Sequence, residues 1–440
     1  MNPLVGMAGV LVALGALLLV VKRVQGCGRL SPEGARKWVH MGMGVICLSF
    51  PWLFAKPWPV WGLALLSVMG LGALRVVPLL RRELGGVLHD VQRVSLGEIY
   101  FPLGVALVFT LAQGSALVFS VPVALLTFAD AAGALVGKRW GRHGYETLVG
   151  RKSLEGSLAV GLVGWLCVSL PLLIAGYDWR VSVVIGALIG LFGMMVEAIS
   201  WRGLDNIFLP LAALAQIKLY LSMSTGTLVA RLAVLMAITV AAWVWRRGRV
   251  VDDCARLGGA LALYFVWAVG GWMWLVAPVI LLGSYMRLMP EIPGGIPRHN
   301  LVAVICVGGA GVATAVAQAF APFVGWLWCF TLAITTQHAV IAVVRFSQAR
   351  SNWSRVRCGA VGTTHALALQ GLAFVALDRG QTVSVGQLTG GLVWVILATA
   401  CFVACEPKLA EPDELTMRWW KQGVASLLAA ALGTSSLLFL

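Results

Sequence analysis

The chain has 440 residues, of which 60% are hydrophobic and 12% are charged, and its formal net charge is +15. A soluble protein of this length cannot bury so much apolar sequence, so the composition excludes a soluble fold and predicts a polytopic membrane protein. The positive charge would suggest nucleic-acid binding in a soluble domain. Here the cations are concentrated in alternate loops between apolar runs, which is the positive-inside pattern of membrane proteins, and we expect no nucleic-acid partner.

Runs of about 20 apolar residues, rather than alternating segments of about ten, favour membrane-spanning helices over a β-barrel. The predicted fold class is therefore all-α, a polytopic integral membrane protein with about 16 transmembrane helices (about 14–17). The first apolar run lacks a basic segment before it and a small-residue cleavage site after it, so we expect a retained span. The expected localisation is a bacterial-type plasma membrane, with the polar residues facing the cytoplasm.

The stretch RRGRVVDDCAR at 246–256 is the longest charged run in the second half of the chain. It predicts a basic cytoplasmic linker between two helical membrane domains, 1–245 and 257–440. Acids, bases and glycines are dense in the loops of the first domain, where we expect the chemistry. The second domain has no readable function. Its histidines each fit a helix–helix hydrogen bond, or with the basic loop of the same domain they line a second lipid or phosphate site, which would make the protein bifunctional. The histidines are His299, His338 and His365, and the loop carries Arg345, Arg350, Arg355 and Arg357.

In chain order, the first polar cluster is RKWVH, in which Arg36, Lys37 and His40 lie at the start of a predicted span. A single histidine in such a place is more often a satisfied interfacial residue than a catalyst. Here three polar residues lie at positions i, i+1 and i+4 and at one membrane depth. We therefore give a functional site the same weight as a purely structural role. Glu98, in GEIYFPLG, begins another predicted span at the same level, the cytoplasmic membrane interface.

Asp130 is a carboxylate inside an apolar run that extends from Ala116 to Val136. An ionised carboxylate at that depth costs a few kcal/mol unless it is paired or metal-bound, so Asp130 is a candidate site residue, with a helix–helix hydrogen bond as the structural alternative. Glycines follow at intervals of four, a stripe that alone favours close helix packing. This stripe runs into a cationic loop that suits phosphate. The glycines of the stripe are Gly133, Gly137 and Gly141, and the cations that it runs into are Lys138 and Arg139.

The segment GRKSLEGS (150–157) places two cations, two hydroxyls and a carboxylate at the predicted start of a helix. The free N–H groups of a helix N-terminus suit an anion together with Arg151 and Lys152, and Glu155 is expected on the same face as Lys152. A cation beside a carboxylate is the set needed to hold a triphosphate with Mg²⁺. A positive-inside anchor with a chance acid explains the cations, but neither Glu155 nor the glycines.

Two more carboxylates fall at the same level of the membrane. Glu197 lies near the inner end of the predicted span 181–200, and Asp205 with Asn206 begins the next span. Each is a candidate for the same reason as Asp130. The sequence therefore predicts that three carboxylates converge on one side of the membrane.

Five segments taken in order resemble the family of CTP-dependent isoprenoid-alcohol kinases, the dolichol kinase and phytol kinase group, which is related to the CDP-diacylglycerol synthases. The similarity covers roughly residues 30–225 and says nothing about 250–440. The segments are RKWVH (36–40), GEIYFPLG (97–104), DAAGALVGKRWG (130–141), GRKSLEGS (150–157) and EAISWRGLDNIFLP (197–210).

The resemblance implies transfer of the γ-phosphoryl group of CTP, with Mg²⁺ or another divalent metal, to the hydroxyl of a lipid alcohol such as a polyprenol, phytol or farnesol. The expected partners are this alcohol, the nucleoside triphosphate and membrane lipids. The implied catalytic residues are Asp130, Lys152, Glu155, Glu197 and His40, with Glu197 or His40 accepting or orienting the alcohol proton. The implied metal ligands are Asp130, Glu155 and Asp205. The implied nucleotide-binding residues are Gly137, Lys138, Arg139, Gly141, Gly150, Arg151, Lys152, Ser153 and Gly156. Further candidates are Arg36, Lys37, Glu98 and Asn206.

Two alternatives stay open. One is a cytidylyltransferase that forms a CDP-lipid, although Ser153 stands where such synthases tend to carry threonine in a Ser-Pro-Lys context. The other is a lipid transporter or flippase, although transporters place ionisable residues near the bilayer midplane and these acids crowd the inner ends of spans. Release of CDP rather than pyrophosphate would identify a kinase.

Overall fold

The computed structural model of the chain describes residues 2–28, 30–76, 97–147, 150–200, 203–244, 251–292, 299–378, 383–407, 409–411 and 416–439. The side chains of residues 32, 33, 71–76, 98, 146, 242, 243, 378, 416 and 436–439 also lie outside the described part. The chain divides into two compact units, Met1–Ala237 and Ile238–Leu440. This division is N-terminal to the predicted linker at 246–256, of which residues 246–250 are outside the described part.

The first unit is helical apart from one β-hairpin. Its helices up to the site region are α1 (Pro3–Gly26), α2 (Pro32–Leu48), α3 (Phe50–Leu53), α4 (Trp58–Val76), α5 (Gly97–Leu111) and α6 (Ala116–Ala124). One turn of π-helix (Leu125–Ala129), called the π-turn below, leads into α7 (Asp130–Trp140). The strands β1 (Gly144–Thr147) and β2 (Gly150–Ser153) come next. They are followed by α8 (Leu154–Ile174), α9 (Trp179–Ala198), α10 (Asp205–Tyr220) and α11 (Thr225–Val244), which continues into the second unit.

The second unit is built around one buried helix. Its elements are α12 (Asp253–Gly270), a 3₁₀ turn (Trp272–Leu275), α13 (Val276–Arg287), α14 (Leu301–Phe320), α15 (Trp326–Ala349), α16 (Arg355–Asp378), α17 (Val385–Cys405) and α18 (Thr416–Phe439). α15 packs against α14, α16, α17 and α18. Most of its side chains are buried, so α15 forms the core of this unit.

Eight helices within the described residues are long and apolar enough to cross a membrane: α1, α6 with α7 as one continuous helix, α8, α9, α14, α15, α16 and α17. A helical polytopic membrane protein is therefore the observed fold class, as predicted. The predicted count of about 16 spans is not confirmed. Several predicted spans fall on shorter helices, such as α2, α5 and α10, which have 17, 15 and 16 residues.

The β-hairpin forms the only two-stranded sheet in the described chain. β1 pairs antiparallel with β2, with Tyr145 opposite Lys152 and Thr147 opposite Gly150. β2 ends at Ser153, whose Oγ accepts a hydrogen bond from the Gly156 N–H (3.2 Å) and so caps α8. This cap satisfies one of the free N–H groups of the first helical turn. The helix begins at the residue that follows the strand.

Glycines allow α7, α8 and α9 to approach closely. A Cβ on Gly156 of α8 would stand 2.8 Å from the Gly133 backbone oxygen and 3.1 Å from the Gly137 Cα, both in α7. A Cβ on Gly190 of α9 would stand 2.7 Å from the Trp165 backbone nitrogen in α8. Small residues at such crossings are typical of membrane helix packing. The glycine stripe that starts at Gly133 is therefore a helix-packing surface, and the three helices hold the site residues at their ends in fixed positions.

We predict that Gly156→Ala lowers the free energy of unfolding by about 1–3 kcal/mol, because the added methyl group must push α7 and α8 apart. Thermal unfolding of the detergent-solubilised protein measures the effect. The matched control is Gly9→Ala in α1, where a Cβ meets nothing within 4 Å. Equal midpoints for the two variants would contradict the proposed packing.

Candidate active site

The first ion pair of the site joins α2 to α7. Lys37 Nζ lies 2.6 Å from Asp130 Oδ2, and both side chains are largely buried. His40 Nε2 lies 3.6 Å from the same oxygen and 3.2 Å from the Leu126 backbone oxygen in the π-turn. Because a carbonyl oxygen only accepts, this contact makes Nε2 the protonated nitrogen of His40. The π-turn thus supplies a hydrogen-bond acceptor for the neighbouring histidine.

The second ion pair joins the hairpin to the C-terminal end of α9. Lys152 Nζ donates to Glu197 Oε1 and to Ser200 Oγ, both at 2.9 Å, and also to the Glu197 backbone oxygen. Burial alone would lower the pKa of the Lys152 ammonium group, but the nearby Glu197 carboxylate outweighs burial and raises this pKa above its ordinary value. Lys152 is therefore a cation at neutral pH.

Three carboxylates complete the group. Asp130, Glu197 and Asp205 each place an oxygen so that the three oxygens lie within 4.8 Å of one another. They come from the first residue of α7, the end of α9 and the first residue of α10. The predicted convergence of these three acids is therefore observed.

The geometry of the three carboxylates suits a small divalent cation. Carboxylate oxygens bind Mg²⁺ at about 2.0–2.1 Å, so two opposite ligands are about 4.2 Å apart. Adjacent ligands are about 2.9 Å apart, so side-chain rotations must bring the three oxygens, which lie within 4.8 Å of one another, closer together around one ion. Glu197 Oε2 is buried and has no hydrogen-bond partner in the described part of the chain, which leaves an oxygen available to a metal.

Glu155 lies in a different contact. Its Oε1 is 2.7 Å from His143 Nδ1, and its carboxylate accepts the His143 backbone N–H. The hairpin brings His143 beside the first turn of α8, where the Leu154 N–H donates to the His143 backbone oxygen (2.9 Å). The same-face argument for Lys152 and Glu155 assumed one helix for both, whereas Lys152 is on β2 and the helix begins at Leu154. Metal binding by Glu155 stays a prediction.

The predicted nucleotide-binding residues divide into packed and exposed sets. Gly137, Gly141 and Gly156 lie close to the Ser153 side chain at the crossing of α7 and α8. Neighbouring side chains on a strand point to opposite faces, so Lys152 reaches the carboxylates while Arg151 is exposed. The remaining exposed members are Lys138, Arg139 and Gly150. Nucleotide binding by these residues stays a prediction.

The further candidates have mixed positions. Arg36 lies close enough for its charge to act on His40 and Asp130. Asn206 is buried, and its Nδ2 donates to the Gly203 backbone oxygen (3.1 Å). The Glu98 side chain lies outside the described part of the structure.

Two partners in this region were absent from the sequence-based prediction. Ser200 accepts from Lys152, and His143 pairs with Glu155. Ser200 lies in the segment EAISWRGLDN between two predicted acids, so its hydroxyl was a usable signal. His143 carried no such signal, because its position depends on the hairpin.

The chain is similar to a protein named "Phytol kinase" from Synechocystis sp. (strain ATCC 27184 / PCC 6803 / Kazusa). The two are 30% identical over 206 residues, which cover 46% of this chain and 84% of the relative. No protein-family model matches the chain. No solved structure matches it either.

We predict that Lys152→Met lowers the free energy of unfolding by about 3 kcal/mol, because it leaves Glu197 buried beside two other carboxylates without its cation. Lys152→Met combined with Glu197→Gln should recover most of this loss. The control is Lys138→Met, an exposed cation, with an expected change within about 0.5 kcal/mol. Unfolding in detergent with a metal chelator measures all three. A single Lys152→Met variant as stable as the wild type would refute the pairing.

Proposed function

The chain belongs to the phytol kinase family of isoprenoid-alcohol kinases, and on this premise we propose that it transfers the γ-phosphoryl group of CTP to the hydroxyl of an isoprenoid alcohol at the membrane interface. The observation that carries the proposal is the group of three carboxylates with two lysines. Phosphoryl transfer needs positioning and charge neutralisation more than covalent help from the protein, and these five side chains supply both.

We assign the metal site to Asp130, Glu197 and Asp205. Their oxygens lie within 4.8 Å of one another, and one of them, Glu197 Oε2, is buried without a hydrogen-bond partner in the described chain. This set differs from the sequence-based one by containing Glu197 in place of Glu155. Bound Mg²⁺ would neutralise phosphate charge and orient the triphosphate.

Lys37 and Lys152 have two tasks in this proposal. Without nucleotide, each neutralises one carboxylate, Asp130 at 2.6 Å and Glu197 at 2.9 Å. With nucleotide and metal bound, the two ammonium groups would donate hydrogen bonds to phosphate oxygens. Cations that are already held at the site need little reorganisation, which favours a charged transition state.

His40 is our candidate for accepting the proton of the alcohol. Glu197, the other candidate, is assigned here to the metal. The Nε2–H of His40 faces the Leu126 backbone oxygen, so Nδ1 is the nitrogen with a free lone pair. Nδ1 has no hydrogen-bond partner within the described residues. A neutral imidazole with one accepting nitrogen fits a general base.

The depth of the site supports a lipid substrate. Glu197 and Asp205 lie at helix ends, and Asp130 lies within the apolar helix Ala116–Trp140, ahead of the cations Lys138 and Arg139. A long-chain alcohol places its hydroxyl at the polar interface while its hydrocarbon chain stays in the bilayer. By the positive-inside pattern, this end faces the cytoplasm of a bacterial-type plasma membrane.

We predict that the purified protein, given Mg²⁺, CTP and phytol, farnesol or a polyprenol, releases CDP and forms the lipid monophosphate. The rate of lipid phosphorylation should be higher with CTP as the donor than with ATP, GTP or UTP. Chromatography of labelled nucleotide and lipid measures both products. Release of pyrophosphate with a CDP-lipid would instead identify a cytidylyltransferase, and no turnover with any donor would contradict a kinase.

The two metal-ligand sets make opposite predictions for Glu155 and Glu197. We expect Glu197→Gln and Asp205→Asn to lower kcat by about 100-fold or more and to raise the Mg²⁺ concentration needed for half-maximal rate. Glu155→Gln should leave the Mg²⁺ requirement unchanged. The matched control is Asp178→Asn, an exposed carboxylate at the opposite end of α9. A shifted Mg²⁺ requirement in Glu155→Gln, with none in Glu197→Gln, would restore the sequence-based set.

A further inference from the structure

The second unit contains a pocket that the proposed kinase activity does not use. It has an empty volume of about 300 Å³, counting its open mouth. Three aliphatic side chains form part of its wall. The other lining residues are Tyr285, His299, Arg345, Gln348, Trp419 and Gln422. These residues come from α13, α15, α18 and the segment before α14, so the pocket is part of the folded helix bundle.

Arg345 is a buried cation in this pocket. Its residue is 4% exposed, and its Nε donates to the Pro290 backbone oxygen (2.7 Å). Its guanidinium group lies 4.9 Å from the ring centre of Tyr285. Nη1 is buried and has no hydrogen-bond partner, and no carboxylate among the described residues lies within ion-pair distance of Arg345. An unpaired buried charge is costly, so the pocket favours an anion.

The other polar side chains of the wall are uncharged. His299 Nε2 and the Tyr285 hydroxyl are 2.7 Å apart, and His299 packs edge-to-face on Trp419. Burial, with the charge of Arg345, lowers the pKa of His299 to about 4, so His299 is uncharged at neutral pH. The Gln422 side-chain amide also lines the pocket, and its oxygen has no hydrogen-bond partner in the described part. Rotation of the Gln422 side-chain amide by about 180° would place its NH₂ group, instead of its oxygen, towards the pocket.

The pocket lies at the basic end of the bundle. Tyr285 is near the end of α13, His299 just precedes α14, Arg345 is near the end of α15 and Trp419 is near the start of α18. The same end carries other cations of the unit: Arg287, Arg350, Arg355, Arg357 and Lys421. Basic pockets between membrane helices at this depth are typical binding sites for lipid phosphates.

We propose that this pocket binds a phosphate group, supplied by the headgroup of a phospholipid, through the guanidinium of Arg345. Arginine forms strong N–H bonds to phosphate oxygens, and Arg345 Nη1 has no hydrogen-bond partner among the described residues. The aliphatic side chains Ile292, Ile341 and Val344 line the same pocket and would face the adjoining glycerol and acyl carbons of such a lipid. Free phosphate offers the same anion without these apolar contacts.

The test compares three probes on the full-length, delipidated protein in detergent. The probes are dihexanoyl phosphatidic acid, dihexanoylglycerol, which lacks the phosphate, and inorganic phosphate. The readout is the ligand-dependent rise in the unfolding midpoint, from which an apparent Kd follows. The variants are Arg345→Gln and the control Arg350→Gln, an exposed cation that follows the same helix.

We expect phosphatidic acid to stabilise the wild type and Arg350→Gln equally, and Arg345→Gln to bind it about tenfold or more weakly. Stabilisation by inorganic phosphate that also requires Arg345 would support the same anion site with free phosphate as its source. Equal binding of phosphatidic acid by Arg345→Gln, or equal stabilisation by dihexanoylglycerol, would overturn the proposal. Should Arg345→Gln fail to fold, Arg345→Lys keeps the charge but loses the planar fork, and the same weakening is expected of it.

Discussion

Mutual repulsion of three carboxylates is the constraint on which the first unit depends. Asp130, Glu197 and Asp205 place oxygens within 4.8 Å of one another, in a site that is only partly open to water. Neighbouring cations, or a proton on one of the three acids, relieve this repulsion. Lys37 and Lys152 provide two positive charges from outside the three helices that bear the acids. The proposed metal site rests on this excess of one carboxylate over the two lysines.

The close packing of the helices around the three carboxylates holds them near one another despite their mutual repulsion. The backbones of α7, α8 and α9 meet at glycines, where even one Cβ would stand 2.8 Å from a backbone atom. Close contacts of this kind fix the ends of the helices, and with them Asp130 and Glu197. The hairpin then carries Lys152 across to Glu197 as β2 passes into α8. The same helix packing therefore also fixes the positions of the charged side chains to which we assign the proposed phosphoryl transfer.

Much of this site could be predicted because a carboxylate in an apolar run is rare and stands out on its own. Asp130, Glu197 and Asp205 were identified in this way. Contacts across long stretches of chain could not be predicted in the same way: Lys37 and Asp130 are 93 residues apart, and only their common membrane depth was readable. The second strand of the hairpin was taken for the start of a helix because four-residue strands leave little alternation, and that error placed Glu155 on the face of Lys152.

The two units show different uses of a buried charge. In the first, every lysine at the carboxylates has an anionic partner, whereas Arg345 in the second has none among the described residues. The central claim concerns the first unit, and the most direct test is a structure of the protein with Mn²⁺ and a non-transferable CTP analogue. The account predicts metal density bridging Asp130, Glu197 and Asp205. Metal density at Glu155 instead, with none at these three carboxylates, would contradict it.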